Sequence, residues 1–259
     1  MIDQSFRILV AEDNELNMDL VCYMLENLNY PYAVAINGAE AVEIFKNENI
    51  SAVLMDCHMP IMDGFQATSE IRRLEREVSG GGRVPILALT ANAIMGDRQK
   101  CLEMDMDDYL TKPFKYQQLQ NMLEKWLPRD SQSAELLAQA DVTTEAAAGS
   151  ETAIVNLRSI EALFKDPDRV RLLIRKYLEQ AGEYLQDIRS AAQDGNVSKL
   201  RFAAHALKSS SQYMGLNQVA QTCKELELHK MRETDLPVQP LISPLGDELT
   251  VATPILRDY

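Results

Sequence analysis

Five short apolar runs, each followed by a stretch with helical spacing, constrain the fold of the first half of the chain. Runs of this length without polar alternation are typical of strands buried on both faces, as in parallel sheets. The runs are FRILVAED (6–13), 32–36, SAVLMD (51–56), VPILALT (84–90) and DDYLT (107–111). The helical stretches are 16–28, with Asn14 placed as its cap, 39–47, 65–77, 94–104 and 116–127. The sequence therefore predicts an α/β doubly wound five-stranded parallel sheet.

The second half of the chain has no strand pattern. Helical spacing is found at 157–164, 167–193, 197–213 and 216–231, and Leu172 falls on the apolar stripe predicted for the longest of these stretches. In the closing segment, 241–256, the apolar spacing persists although Pro244 and Pro254 oppose a straight helix, so we expect a kinked helix. Together these stretches predict an all-α antiparallel helical bundle.

Charge divides the chain in the same place. Residues 1–130 carry 12 basic and 21 acidic side chains, 131–153 carry no base and 4 acids, and 154–259 carry 14 of each, for a net charge of −13. The middle stretch has no aromatic residue and few large apolar ones. We therefore predict a first domain at 1–130, a flexible acidic linker at 131–153 and a helical domain at 154–259.

Composition also excludes several classes of protein. The acidic balance argues against nucleic acid as a direct partner, since phosphate binding needs a clustered positive surface. No apolar run reaches the roughly 18 residues of a membrane helix, and the start lacks a signal-peptide pattern, so we expect a cytoplasmic protein. The four cysteines are scattered, which argues against a disulfide scaffold or a zinc site.

Acidic side chains stand where strands of the predicted sheet end, which is the edge at which such sheets bind ligands. Glu12 and Asp13 follow the first strand and Asp56 ends the third; Thr90 and Lys112 end two more. Crowded carboxylates repel one another and are readily held by a hard divalent ion such as Mg²⁺. Two plainer interpretations stay open: the acids are solvated loop residues, or Lys112 is only their salt-bridge partner.

The segments VAEDN, LMDCHMPIMDGF, ALTA and YLTKPF resemble, in this order and spacing, the receiver domain of bacterial response regulators, especially those attached to hybrid sensor kinases. The resemblance covers about residues 5–128. It implies that Asp56 accepts a phosphoryl group from a phosphohistidine. It also implies that Glu12 and Asp13 hold Mg²⁺, together with Asp56 and the backbone carbonyl of His58, whose imidazole we expect to be solvated at the rim.

The same resemblance also assigns roles to the residues at the ends of the fourth and fifth predicted strands. It implies that Thr90 and Lys112 bind the phosphoryl oxygens, and that Tyr109 is the aromatic residue that turns inward with Thr90 on activation. An ordinary packed aromatic stays open as the alternative for Tyr109. Chemically, phosphoryl transfer needs positioning and neutralisation of charge more than covalent help, which suits these residue types.

In the helix predicted at 197–213, His205 falls on a polar stripe with Arg201, Lys208 and Gln212. An ordinary exposed histidine is the plain interpretation, but Lys208 is placed to hold a phosphate's charge beside the ring. The segment AHALKSSSQYMGL resembles the histidine phosphotransfer domain, over about 154–250. That resemblance implies that His205 is phosphorylated and that Lys208 helps it.

The two resemblances together imply a phosphorelay protein, whose partners are a sensor histidine kinase and a downstream response-regulator receiver. No glycine pattern of an ATP-binding kinase core is present in the chain. Two other functions stay open. One is a Mg²⁺-dependent phosphohydrolase, although His58 stands where its second aspartate would be; the other is a regulatory module that only binds.

Overall fold

The computed structural model describes residues 6–77, 82–90, 101–127, 155–164, 166–228 and 239–259. The chain divides into two compact units, 1–151 and 152–259. The predicted linker at 131–153 lies outside the described residues, and the predicted domain bounds remain predictions. Among the described residues, no helix has both the length and the hydropathy needed to cross a bilayer.

The first unit contains a parallel five-stranded sheet in the order β2-β1-β3-β4-β5. This confirms the predicted fold class. The central strands are buried along their whole length, which explains their unbroken apolar runs. The strands are β1 (Ile8–Ala11), β2 (Tyr32–Ala35), β3 (Ala52–Asp56), β4 (Ile86–Thr90) and β5 (Asp108–Thr111).

Helices follow the strands. Asn14 caps the first helix, as predicted, because its side-chain oxygen accepts a hydrogen bond of 3.1 Å from the backbone N–H of Asn17. The predicted helix at 94–104 lies mostly outside the described residues. The part of it that is described includes 101–103, and these residues are helical. The helices are α1 (Glu15–Asn27), α2 (Gly38–Asn47), α3 (Gly64–Glu77) and α4 (Tyr116–Trp126).

One charged residue of α3 is buried and ties the edge of the sheet together. The guanidinium of Arg72 binds the carboxylates of Glu75 and Asp107 at 2.8 and 2.5 Å. It also donates to the backbone carbonyls of Val84 and Asp105. These contacts hold the residues before β4 and β5 together, and β5 is the strand that leads to Lys112.

The second unit is helical, which confirms the predicted bundle. Its long helices pack against one another, and the hydroxyls of Tyr177 and Ser211 form a buried hydrogen bond of 2.9 Å between two of them. The helices are α5 (Arg158–Leu163), α6 (Pro167–Gln193), α7 (Val197–Tyr213), α8 (Asn217–Leu228) and α9 (Gln239–Arg257).

The prediction for Leu172 was wrong. Its side chain is 50% exposed, whereas Val170, Leu173, Ile174 and Tyr177 of the same helix are buried. The buried set repeats every three or four residues, and Leu172 lies between its positions on the helix surface. The apolar stripe of α6 therefore begins at Val170.

In the closing segment, the structure has one helix, α9, with Pro244 and Pro254 inside it. The predicted apolar spacing is confirmed at Leu245, Leu249 and Leu256, which are buried. Packing of this stripe against α6 and α8 compensates for the backbone hydrogen bonds that the two prolines remove.

Candidate functional site

The sheet order places the first site beside β1. The chain continues from β1 to β2 on one side and then returns to β3 on the other, and ligands bind at such a switch point outside the carboxyl ends of the strands. Ala11 of β1 lies opposite Met55 of β3, so Glu12 and Asp56 follow at the same edge. Glu12, Asp13 and Asp56 have carboxylate oxygens that all lie within 4.8 Å of one another.

Lys112 is the cation of this site. Its Nζ lies 2.5 Å from Glu12 Oε2 and 2.5 Å from Asp56 Oδ2, and all three side chains are almost completely buried. Its backbone N–H donates to the carbonyl of Thr90 at 2.6 Å, and the peptide bond that joins it to Pro113 is cis. The structure therefore brings together the acids and the lysine that the sequence placed at separate strand ends.

Asn17 is a member of this site that the sequence reasoning missed. Its Nδ2 donates to Glu12 Oε1 at 3.0 Å, so both oxygens of Glu12 accept hydrogen bonds from buried donors. The sequence does contain a signal for it. Asn17 stands among the buried apolar positions of α1, and a buried amide usually has a polar partner.

The site carries more negative charge than Lys112 offsets. The pKa of Glu12 is raised to about 8: burial is the largest cause, Lys112 opposes it, and the carboxylates of Asp56 and Asp13 add to the increase. Three oxygen-bearing side chains with one ammonium suit a hard divalent cation, which favours oxygen ligands. Glu12, Asp13 and Asp56 therefore fit Mg²⁺.

Backbone contacts fix Asp56 at the centre. The N–H of His58 donates to Asp56 Oδ1 at 3.0 Å. Gly64 lies directly against the aspartate's backbone, because a Cβ at Gly64 would stand 2.0 Å from the carbonyl oxygen of Asp56. Only glycine allows the loop to pass this close.

Three residues of the predicted site lie around this centre. Thr90 is buried at the end of β4. Tyr109 is half-buried and packs against the hydrophobic core of the first unit. The imidazole of His58 is exposed and stands edge-on to Phe65, with ring centroids 6.4 Å apart, in agreement with its predicted place at the rim. The roles of Thr90, Tyr109 and the His58 carbonyl stay predictions.

In the second unit, His205 of α7 binds a carboxylate of the neighbouring helix. Its Nδ1 lies 2.5 Å from Glu227 Oε1, and the other oxygen of Glu227 accepts from the ammonium of Lys208. The prediction of a polar stripe was wrong for Lys208, whose side chain is only 2% exposed. A lysine can be buried here because Glu227 supplies its counter-charge.

Sequence reasoning missed Glu227 because the contact joins two helices. A signal for it exists, since α7 and α8 form a hairpin around Gly215 and Leu216. Residues at equal distances from such a turn lie side by side, and His205 and Glu227 are each eleven positions from Leu216.

Comparison with known families agrees with the two units. Residues 8–124 match the model of the response regulator receiver domain, and residues 172–250 match the model of the Hpt domain. The receiver match contains β1 to β5, and the Hpt match contains α7 and α8, which carry His205 and Glu227.

Similar proteins include signalling proteins much longer than this chain. The sensor protein GacS of Pseudomonas syringae pv. syringae is 30% identical over 235 residues, which cover 85% of this chain and 24% of GacS. The hybrid signal transduction protein dokA of Dictyostelium discoideum is 44% identical over 123 residues, which cover 48% of this chain and 7% of dokA. The chain thus spans less than a quarter of the length of these two relatives.

A solved structure is also similar to the first unit. It is the receiver domain of the sensor histidine kinase PA1611 from Pseudomonas aeruginosa, described with a magnesium ion coordinated in the active site cleft. The sequence identity is 44%, the TM-score is 0.42, and the match covers 47% of this chain and 96% of that one.

Proposed function

Because the chain joins a response regulator receiver domain to an Hpt domain, we propose that it relays a phosphoryl group between Asp56 and His205. The observation that carries the receiver half is the meeting of Glu12, Asp56 and Lys112 at one buried point. Phosphoryl transfer depends on neutralising charge around the transferred group, and this point joins a carboxylate nucleophile to a fixed cation.

In the receiver, an oxygen of Asp56 attacks the phosphorus of a partner's phosphohistidine. The O–P bond forms as the N–P bond breaks, and the leaving imidazole nitrogen keeps the electron pair. Lys112 faces the charge that gathers on the phosphoryl oxygens, and the hydroxyl of Thr90 donates a hydrogen bond to them. Bound by Glu12, Asp13, Asp56 and the carbonyl of His58, Mg²⁺ would neutralise further negative charge.

In the Hpt domain, His205 takes the phosphoryl group from the aspartate of a receiver or returns it. The phosphohistidine that first loads Asp56 would belong to a sensor histidine kinase, and the aspartate that finally receives the group to a downstream response regulator. The proposal places the relay in the cytoplasm, because the ATP that supplies a histidine kinase is found there. It includes no nucleic acid as a direct partner, since the first unit is strongly acidic.

Acetyl phosphate, a small phosphodonor, tests this function with Mg²⁺ and the whole chain. The wild type, Asp56→Asn and His205→Gln are incubated with it, and phosphorylated sites are mapped by mass spectrometry at neutral pH. We expect His205→Gln to carry label on Asp56, and Asp56→Asn to carry none there. Chelation of Mg²⁺ should abolish the labelling of Asp56 in the wild type and in His205→Gln.

His58→Gln is the matched control, because it changes an exposed histidine of the receiver and keeps its backbone carbonyl. We expect it to be labelled as the wild type is. Continuous release of phosphate that needs His58 would instead indicate the phosphohydrolase. Absence of label on both Asp56 and His205 would leave only the binding module.

A further inference from the structure

Two cysteines of the first unit lie side by side in its core. Their sulfur atoms, Cys57 Sγ and Cys101 Sγ, are 3.9 Å apart, and both residues are 1% exposed. No spacing in the sequence pairs them, since 44 positions separate them. Neither cysteine is bonded in a disulfide, so the structure holds two thiols in contact.

The pair lies beside two parts of the phosphorylation site. Cys57 stands between Asp56 and His58, whose backbone N–H donates to Asp56 Oδ1 at 3.0 Å. Cys101 lies shortly before β5, the strand that leads to Lys112. A covalent bond between the two sulfurs would therefore join the segment that carries Asp56 to the segment that leads to Lys112.

We propose that Cys57 and Cys101 are an oxidation site for hydrogen peroxide, and that the disulfide they form suppresses phosphorylation of Asp56. The second part of this inference rests on the proposed function of Asp56 as a phosphoryl acceptor. The first part depends only on the contact between the two sulfurs.

The oxidation takes two steps. One sulfur, as a thiolate, attacks an oxygen of the peroxide; the S–O bond forms, the O–O bond breaks and hydroxide leaves. The other sulfur then attacks this sulfenic sulfur, so that the S–S bond forms, the S–O bond breaks and a second hydroxide leaves. The two thiol protons convert both hydroxides to water. Two electrons pass from the two sulfurs to the peroxide.

Contact between the sulfurs decides the product. A sulfenic acid condenses with a thiol that lies next to it, and at 3.9 Å the second sulfur is in that position. The pKa of Cys57 is raised, first by its hydrogen bond with Cys101 and then by burial. Because few thiolates form at neutral pH, we expect the oxidation to be slow.

Formation of the disulfide requires the two segments to move. Bonded sulfurs lie much closer together than 3.9 Å, and the close-packed core around them transmits a shift. The backbone of Cys57 is held on both sides: its N–H donates to the carbonyl of Leu89, and its carbonyl accepts from the N–H of Gly64, both at 3.3 Å. We therefore expect a displacement of Cys57 to move Asp56 relative to Lys112, which lies 2.5 Å from it in the reduced protein.

A plainer role for the pair is packing alone. A buried cysteine often acts as a small apolar side chain. In that case peroxide would leave the pair as thiols, or would oxidise it without effect on Asp56. Cys22 of α1 provides the matched control, because it is a half-buried cysteine of the same unit outside the pair.

The first experiment maps the disulfide on the whole chain carrying His205→Gln. The protein is treated with hydrogen peroxide, catalase removes the excess, and remaining thiols are blocked in urea before digestion with trypsin. Trypsin cuts after Lys and Arg but not before proline, which places Cys57 in the peptide 47–72 and Cys101 in the peptide 101–115. We expect these two peptides to be joined, lighter than their sum by two hydrogen atoms, and to be separated by dithiothreitol. An unchanged pair of thiols, or sulfinic acid at either cysteine, would overturn the proposal.

The second experiment measures how fast radioactive acetyl phosphate with Mg²⁺ labels Asp56 before and after oxidation. In the His205→Gln protein, oxidation should lower the initial rate about 10–100-fold, since a misplacement of about 1 Å can have such an effect. Dithiothreitol should restore the rate. Adding Cys22→Ala should leave this sensitivity unchanged, and adding Cys101→Ala should remove it, because no second sulfur remains beside Cys57.

Loss of labelling by another route has a different signature. Oxidised methionine would also form in Cys101→Ala, and dithiothreitol would not restore the labelling. Loss of labelling that Cys101→Ala shares, or labelling that continues while the disulfide is present, would overturn the proposal. The peptide map and the reversal by dithiothreitol need no cysteine variant, so they decide the matter even if Cys101→Ala does not fold. Reduced protein that takes no label would refute the function proposed for Asp56, whereas the peptide map tests the cysteine pair independently.

Discussion

Lys112 is the cation that compensates the buried carboxylates of the first unit, and its removal should cost more than the loss of an ordinary lysine. Lys112→Met keeps most of the side-chain volume but leaves Glu12 and Asp56 without the ammonium that lies 2.5 Å from each. Breaking a buried ion pair by removing one partner costs about 3–5 kcal/mol, because a charge stays buried without compensation. We expect the free energy of unfolding to fall by that amount at neutral pH.

The loss should depend on pH in a defined direction. The pKa of Glu12 is already raised from 4.5 to about 8, chiefly by burial, and removing Lys112 takes away the influence that lowers it. Between pH 4.5 and the raised pKa, Glu12 of the folded variant keeps a proton that Glu12 of the unfolded chain releases. Stability from that proton is therefore present below pH 4.5 and is lost as the pH rises toward 8 and beyond. The wild type shares this loss up to about pH 8, the pKa of its Glu12, so the deficit of Lys112→Met should grow as the pH rises above 8.

Urea unfolding, followed by fluorescence, measures this effect. The chain has one tryptophan, Trp126, which lies in α4 and reports on the first unit. Lys46→Met is the matched control, because Lys46 is an exposed lysine of the same unit; its change should stay within about 0.5 kcal/mol. If Lys112→Met costs no more than Lys46→Met, or if its deficit shrinks as the pH rises, the described charge cluster does not exist in solution.

Three further changes test other parts of the structure. Gly64→Ala should lower the free energy of unfolding by about 1–3 kcal/mol, because its Cβ would meet the backbone oxygen of Asp56; urea titration measures this, and an unchanged midpoint would contradict it. Ser211→Ala should lower the free energy of unfolding by about 1–3 kcal/mol, because it leaves the Tyr177 hydroxyl unpaired. In a chain that already carries Tyr177→Phe, the same substitution should cost less. Additive losses in this double-mutant cycle would count against the hydrogen bond. Asp13→Asn should raise the Mg²⁺ concentration for half-maximal labelling by acetyl phosphate about 10–100-fold, and an unshifted Mg²⁺ titration would remove Asp13 from the site.

The sequence predicted those parts of the molecule that depend on local pattern. The buried strands carry unbroken apolar runs, and Asn14 caps α1, as its place before the first apolar position indicated. The convergence of Glu12, Asp56 and Lys112 was also predictable, since the carboxyl ends of parallel strands meet at one edge. Each of these inferences needs only the period of a strand or helix and the topology of a parallel sheet.

What the sequence left unpredicted depends on contacts between distant segments. Arg72 and Lys208 are buried although each looks like a surface charge on its own helix. Their counter-charges stand at Asp107 and Glu227, in segments that only the tertiary fold brings near. Helical periodicity gives the face of a charged residue but cannot identify its partner across an interface.

The central claim, that Asp56 and His205 exchange a phosphoryl group, is tested most directly by mixing two variants. His205→Gln, labelled on Asp56 with radioactive phosphate and freed of donor, is added to Asp56→Asn of different length. The account predicts that label appears on His205 of the Asp56→Asn chain, in a form stable to base and labile to acid. Label that leaves the first chain only as inorganic phosphate would contradict it.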